Sequence, residues 1–207
     1  MVRLLREQGG RATLLCESWN RAAEPFDEIV TLSGPGPGYA KPRIFAQKAN
    51  DYLQKNSFDL SFSMERGIRA DIYRAGDGVH RIWLERRREV RPVLGWLQNR
   101  INFKNRVLLA LERETFDSER TGCVIANSEM VRREIERCFD YPQERVVTIP
   151  NGVDADYFGS GDRERGRQAL GLGPEEFSVL LVGSGAERKG HAARGLWWRG
   201  SETGRAW

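Results

Sequence analysis

Short apolar runs that mostly lack polar alternation, separated by amphipathic helical stretches, constrain this chain more than any other feature of its sequence. The runs are Ala12-Thr-Leu-Leu-Cys16, Glu28-Ile-Val-Thr-Leu32, Phe58-Asp-Leu-Ser-Phe62, Ile72-Tyr-Arg-Ala75, Gly122-Cys-Val-Ile-Ala126, Arg145-Val-Val-Thr-Ile149 and Phe177-Ser-Val-Leu-Leu-Val182. A strand covered on one face only alternates with period two, so runs without alternation read as strands buried on both faces, the mark of a parallel sheet. Between them, Pro42 at a first helical position opens a stretch with Phe45, Ala49, Tyr52 and Leu53 on one face. Asn127 or Ser128 caps a second helix bearing Val131, Ile135 and Cys138. Strand and helix in turn predict an α/β fold with a doubly wound, Rossmann-like parallel sheet.

Composition narrows the class. With 207 residues, 40% hydrophobic and 30% charged, the chain can bury a core, and its 22 Gly and 8 Pro follow no period; disordered and collagenous classes are excluded. No run reaches the roughly 18–20 apolar residues of a membrane span, and Met1-Val-Arg-Leu-Leu-Arg-Glu lacks the apolar centre of a secretory signal, so a cytoplasmic location is expected. Cys16, Cys123 and Cys138 are widely spaced and odd in number, which supports neither a disulfide framework nor a metal site. The two histidines, His80 and His191, are too few for a His-based metal site.

Charge is unevenly placed. From Arg81 to Arg106 eight Arg or Lys stand against Glu85 and Glu89, while the whole chain carries only +4. Trp83, Leu84, Trp96, Leu97, Ile101 and Phe103 interleave with these cations, a pattern that suits a membrane interface, whereas no DNA- or RNA-binding motif is present and nucleic acid is not an expected partner. The alternative for this stretch is a solvated helix face.

Three segments are candidates for chemistry. The loop Ser33-Gly-Pro-Gly-Pro-Gly38 resembles a phosphate cradle only superficially, because Pro35 and Pro37 lack the N–H groups such a cradle converges on its anion. In Val182-Gly-Ser-Gly-Ala-Glu-Arg-Lys-Gly190 a strand runs into small residues and then two cations, Arg188 and Lys189, able to neutralise a diphosphate; a solvated Arg-Lys pair is the alternative. Arg74-Ala-Gly-Asp-Gly-Val-His80 follows a strand, at the carboxyl end where open α/β sheets place ligands. There Asp77 and His80 either hydrogen-bond a sugar hydroxyl or close a local turn.

Together, Val124-Ile-Ala-Asn-Ser-Glu-Met-Val131, Val147-Thr-Ile-Pro-Asn-Gly-Val-Asp-Ala-Asp-Tyr-Phe158 and Val182-Gly-Ser-Gly-Ala-Glu-Arg-Lys-Gly190 resemble family 4 glycosyltransferases, retaining enzymes of the two-domain GT-B type, in order and spacing as well as residues. Tyr73-Arg-Ala-Gly-Asp-Gly-Val-His80, the basic stretch after it and Leu111-Glu-Arg-Glu-Thr-Phe116 are similar to the lipopolysaccharide core glucosyltransferases of that family. The resemblance implies transfer of a hexose from a nucleotide sugar to a lipid-linked glycan, and the basic stretch read above would let such an enzyme lie peripherally on the anionic inner leaflet. It implies that Arg188 and Lys189 hold the donor diphosphate, with Gly183 and Gly185 leaving room and Asn151 and Gly152 beside the cleft, and that Asp77 and His80 face the acceptor. It implies no cofactor and no metal, the nucleotide sugar being a substrate.

The expected organisation is an N-terminal acceptor-side domain over 1–160, the start of a nucleotide-sugar-binding domain over 161–190, and a tail over 191–207 that matches neither. The family's opening strand with its glycine-rich loop and most of its second domain have no counterpart in these 207 residues, so a truncation at both ends and a chain without turnover of its own are expected. The alternative function is a non-catalytic basic module on anionic membrane.

Overall fold

The computed structural model describes residues 2–20, 26–90 and 102–178. The chain divides into two compact units, Met1–Gly152 and Val153–Trp207.

The first unit opens with α1 (Val2–Glu7), which ends where Gly9 takes a left-handed φ of +83°. Strands β1 (Thr13–Cys16) and β2 (Glu28–Thr31) pair in parallel, Thr13 opposite Glu28. A second sheet holds β3 (Phe62–Ser63), β4 (Ala70–Ala75), β5 (Thr121–Ala126) and β6 (Val146–Thr148), parallel throughout and in the order β3-β4-β5-β6. Four helices connect and cover the strands: α2 (Lys41–Lys55), α3 (His80–Val90), α4 (Phe103–Thr115) and α5 (Glu129–Cys138). Since every pair is parallel, the carboxyl ends within each sheet share one edge, where a doubly wound fold keeps its ligands.

The helices start where their residues satisfy the free N–H groups. Ser128 accepts from Val131 N at 3.3 Å to begin α5, and Asn102 accepts from Lys104 N and Asn105 N at 3.0 and 3.3 Å to begin α4. The apolar stripe of α5, Val131 and Ile135, is buried against Val124, Ala126 and Val146 of the sheet and against Tyr141. On the other core, Phe45, Ala46 and Ala49 of α2 meet Leu111 of α4, with Leu15 and Leu32 from the β1–β2 region packed against them. Each fully buried side chain of this size contributes about 1.5–3 kcal/mol.

The second unit shows α6 (Ala155–Gly159) and α7 (Arg163–Ala169), begun by Asp154, which accepts from Tyr157 N at 2.8 Å, and Asp162, which accepts from Arg165 N at 3.0 Å. Gly171, φ +65°, ends α7 at the place its residue type marks.

Two expectations need correction. The run 58–62 is not a strand along its length, since pairing begins only at Phe62; Phe58 and Leu60 are 42% and 59% exposed. Asp71 explains the start: its carboxylate accepts from Ser61 N at 2.7 Å and Ser61 Oγ at 2.6 Å, pinning the chain just before the ladder. Leu84, counted toward a membrane-facing stripe, belongs to the buried core with Ile82. In the last run, 179–182 lie outside the described residues.

Candidate functional site

The carboxyl ends of β3, β4, β5 and β6 bring together what the sequence left scattered. After β4 the chain turns through Gly76-Asp77-Gly78-Val79, with Gly78 at φ +71°, and enters α3 at His80. Only glycine takes that φ without strain, and the resulting tight turn presents Asp77 at the exposed edge. Asn127, after β5, donates from Nδ2 to Gly76 O at 2.8 Å. Asn151, after β6, accepts from the Arg74 guanidinium. Asp77, His80 and Asn151 are therefore tied to one edge of one sheet.

Carboxylates and a guanidinium surround the turn. Arg66, after β3, donates from Nη2 to Gly78 O at 2.9 Å and reaches within 3.7 Å of Glu112 from Nε. Partial burial pushes the Glu65 carboxyl above its ordinary range; Arg66 opposes the shift, while the negative charges of Asp77 and Glu17 add to it. Glu17 follows β1, so the end of that strand stands near enough for its charge to act on Glu65. His80 stacks on Trp83, ring centroids 5.4 Å apart at 23°. Burial of the imidazole, and then the nearby charge of Arg66, hold its pKa below the usual value, so the ring is neutral at pH 7.

Sequence reasoning missed two residues. Glu112, 1% exposed on α4, accepts from His80 N at 2.5 Å and Arg81 N at 3.1 Å; burial raises its pKa, and these bonds and Arg66 oppose the rise. Glu134, on α5, accepts from Val79 N at 3.4 Å and from Arg86 Nη2 at 2.7 Å. The signal was available: Glu112 lies on the apolar stripe of its helix between Leu111 and Thr115, both fully buried, and Glu134 precedes Ile135 on another. A charge on a buried stripe calls for a partner.

The arrangement offers an exposed carboxylate and a neutral imidazole on one turn, with side-chain amides from the neighbouring loops at the same sheet edge, acceptors and donors of the kind that recognise sugar hydroxyls. Among the described residues no group of three or more His, Cys, Asp and Glu stands together to hold a metal ion. Gly183, Gly185, Arg188 and Lys189 lie outside the described residues, and Gly152 is exposed at the end of the first unit. A cavity of about 470 Å³ opens at the opposite, amino end of the strands, beside Asn50, Arg69, Asp71 and Arg120. Its polar groups largely satisfy one another: Asn50 bonds Gly67 O and Arg69 N, and Asp71 bonds Ser61.

The basic stretch is also resolved in part. Trp83 is half-buried under the Arg87 guanidinium, 5.3 Å from its ring, and Arg86 is paired with Glu134, so these groups serve the fold. Residues 91–101, with Trp96 and Leu97, lie outside the described residues. No helix among the described residues is long and apolar enough to cross a membrane.

Comparison with known proteins agrees with the geometry. The crystal structure of WaaG, a glycosyltransferase involved in lipopolysaccharide biosynthesis, superposes with a TM-score of 0.76 at 18% identity, over 93% of this chain and 52% of WaaG; at that identity the likeness is one of fold. A D-inositol 3-phosphate glycosyltransferase 2 of Catenulispora acidiphila is 37% identical over 60 residues, 29% of this chain and 14% of that protein. The chain thus spans about half the length of WaaG and a smaller part of the inositol phosphate enzyme. Its described α/β architecture is that of a Rossmann-like domain of the GT-B type. Residues 1–157, three quarters of the chain, match Glycosyltransferase Family 4, and the chain belongs to that family.

Proposed function

We propose that this chain serves the transfer of a hexose from a nucleotide sugar to a lipid-linked glycan of the lipopolysaccharide core type, with retention of configuration, and that its first unit holds the acceptor. The observation that carries the reading is the Asp77–His80 turn: it stands at the carboxyl end of a parallel sheet and is anchored by Arg66, Glu112 and Glu134. In this reading Asp77 accepts hydrogen bonds from sugar hydroxyls and the neutral His80 ring lines the site, while Asn151 and Gly152 stand nearer the donor. Residues 1–160 form the acceptor side, and 161–190 belong to the donor side, where Gly183 and Gly185 leave room for a diphosphate neutralised by Arg188 and Lys189. Leaving-group electrostatics then require no metal and no further cofactor.

The test is acceptor affinity. Titration of deacylated lipopolysaccharide core oligosaccharide into the 207-residue protein, followed by calorimetry, is expected to give saturable binding that Asp77→Asn weakens about tenfold, as loss of a charged hydrogen-bond acceptor does. Equal affinity of the variant counts against the reading.

A second reading, docking on an anionic membrane surface, is favoured by one observation. Phe103 is 58% exposed beneath the Arg106 guanidinium, which sits 5.9 Å from its ring, and Lys104 and Arg88 are exposed on the same unit. The two readings are compatible, since an enzyme acting on a lipid-linked acceptor gains from lying on the inner leaflet. Each basic residue near an anionic surface is worth about 1 kcal/mol, and exposed charges are screened within about 8–10 Å at physiological salt. Flotation with anionic vesicles is expected at low salt and to fall at high salt or on joint substitution Lys104→Gln and Arg106→Gln. Equal recovery with neutral vesicles contradicts it.

A further inference from the structure

The residue directly before helix α3 has no side chain that can cap it. The first N–H groups of any helix lack intrahelical partners, and a Ser, Thr, Asp or Asn just before the helix normally accepts from them. Here that position is Val79, whose side chain accepts nothing and is itself buried, 3% exposed. The missing acceptors come from a different helix, 32 residues away in sequence: Glu112 Oε1 takes the His80 N–H at 2.5 Å and Oε2 the Arg81 N–H at 3.1 Å. A carboxylate at a helix N-terminus also meets the positive end of the helix dipole, and its bonds are charge-assisted. Arg66 closes the arrangement, 3.7 Å from Glu112 and bonded to Gly78 O. The carboxylate therefore bridges the motif Leu111-Glu-Arg-Glu-Thr-Phe116, which the proposed reaction does not otherwise use, to the turn that carries Asp77.

We propose that Glu112 is a positioning residue: as the cap of α3 supplied from α4, it fixes the Gly76–His80 turn and so places Asp77 and the His80 ring for the acceptor. The assignment rests on the acceptor reading above. Its test has a structural arm that needs no sugar, so the two fail separately.

In the 207-residue protein, Glu112→Ala and Glu112→Gln are compared with the native chain by NMR. Hydrogen exchange is read at the amides of His80 and Arg81, with Val124 and Ile125 of β5 as the internal reference. With Glu112→Ala, exchange at His80 and Arg81 is expected to quicken at least about tenfold while Val124 and Ile125 hold. Glu112→Gln keeps one acceptor oxygen, so one of the two amides is expected to quicken and the other to stay protected. It is also expected to weaken the acceptor oligosaccharide several-fold. Unchanged exchange at both amides in folded Glu112→Ala overturns the assignment. If Glu112→Ala does not fold, Glu112→Gln decides, and two protected amides overturn it. A loosened turn with native acceptor affinity overturns it too, whereas a native chain that binds no acceptor sinks the acceptor reading alone.

Discussion

Replacing Gly67 with alanine is expected to destabilise the first unit by about 2–5 kcal/mol, the sum of roughly 1–2 kcal/mol for a left-handed non-glycine residue and about 1–3 kcal/mol for overpacking. Gly67 has φ +80°, and an added Cβ would stand 2.4 Å from Leu111 Cδ2 and 3.4 Å from Ala46 Cβ. The backbone has little room to give. Gly67 N donates to the buried Thr115 Oγ1 at 2.7 Å, and Gly67 O accepts from Asn50 Nδ2 at 2.9 Å. Against a usual total stability of about 5–15 kcal/mol, the loss is large. Urea unfolding followed by tryptophan fluorescence checks it; a change below about 1 kcal/mol would show that the turn relaxes freely.

Leu111→Ala is the second substitution with an effect of that size. Leu111 is fully buried where α4 meets α2, and truncating such a leucine costs about 2–5 kcal/mol, more when the cavity stays open. The two sites are coupled through one contact, so the double variant is informative. The void left by Leu111→Ala receives the methyl of Gly67→Ala, so that of the glycine substitution's two penalties only the left-handed strain is added to the cost of the truncation. The double variant is expected to lose less than the two singles added, by about 0.5–3 kcal/mol, and strict additivity in the same urea experiment would contradict the contact.

Much of the fold was legible because its signals are local. Pro42 and the Phe45–Ala49 spacing mark α2, and Ser128 caps α5, signals that neighbouring residues decide. The run 58–62 misled because an apolar pattern records burial potential, while pairing there depends on Asp71, ten residues beyond Ser61. Within the stretch from Arg81 the same holds for Leu84. Apolar residues spaced among cations suit a helix lying on lipid and a helix lying on its own sheet equally well, and Leu84 is buried.

The site was legible in part. Asp77 and His80 stand where a glycine-flanked turn after a strand puts them, and Asn151 joins them through Arg74. The partners of Glu112 and Glu134 were hidden because each acts on a segment more than thirty residues away, a relation set by packing of α4 and α5 rather than by spacing along the chain.

The claim that the carboxyl edge of the sheet receives the acceptor is tested most directly by amide chemical-shift mapping of the 207-residue protein during titration with core oligosaccharide. Saturable shifts are expected at 64–66, 76–80 and 127–128, the segments that follow β3, β4 and β5. Shifts confined to the amino-end cavity, at Asn50, Arg69, Asp71 and Arg120, or none at all in the folded protein, would contradict it.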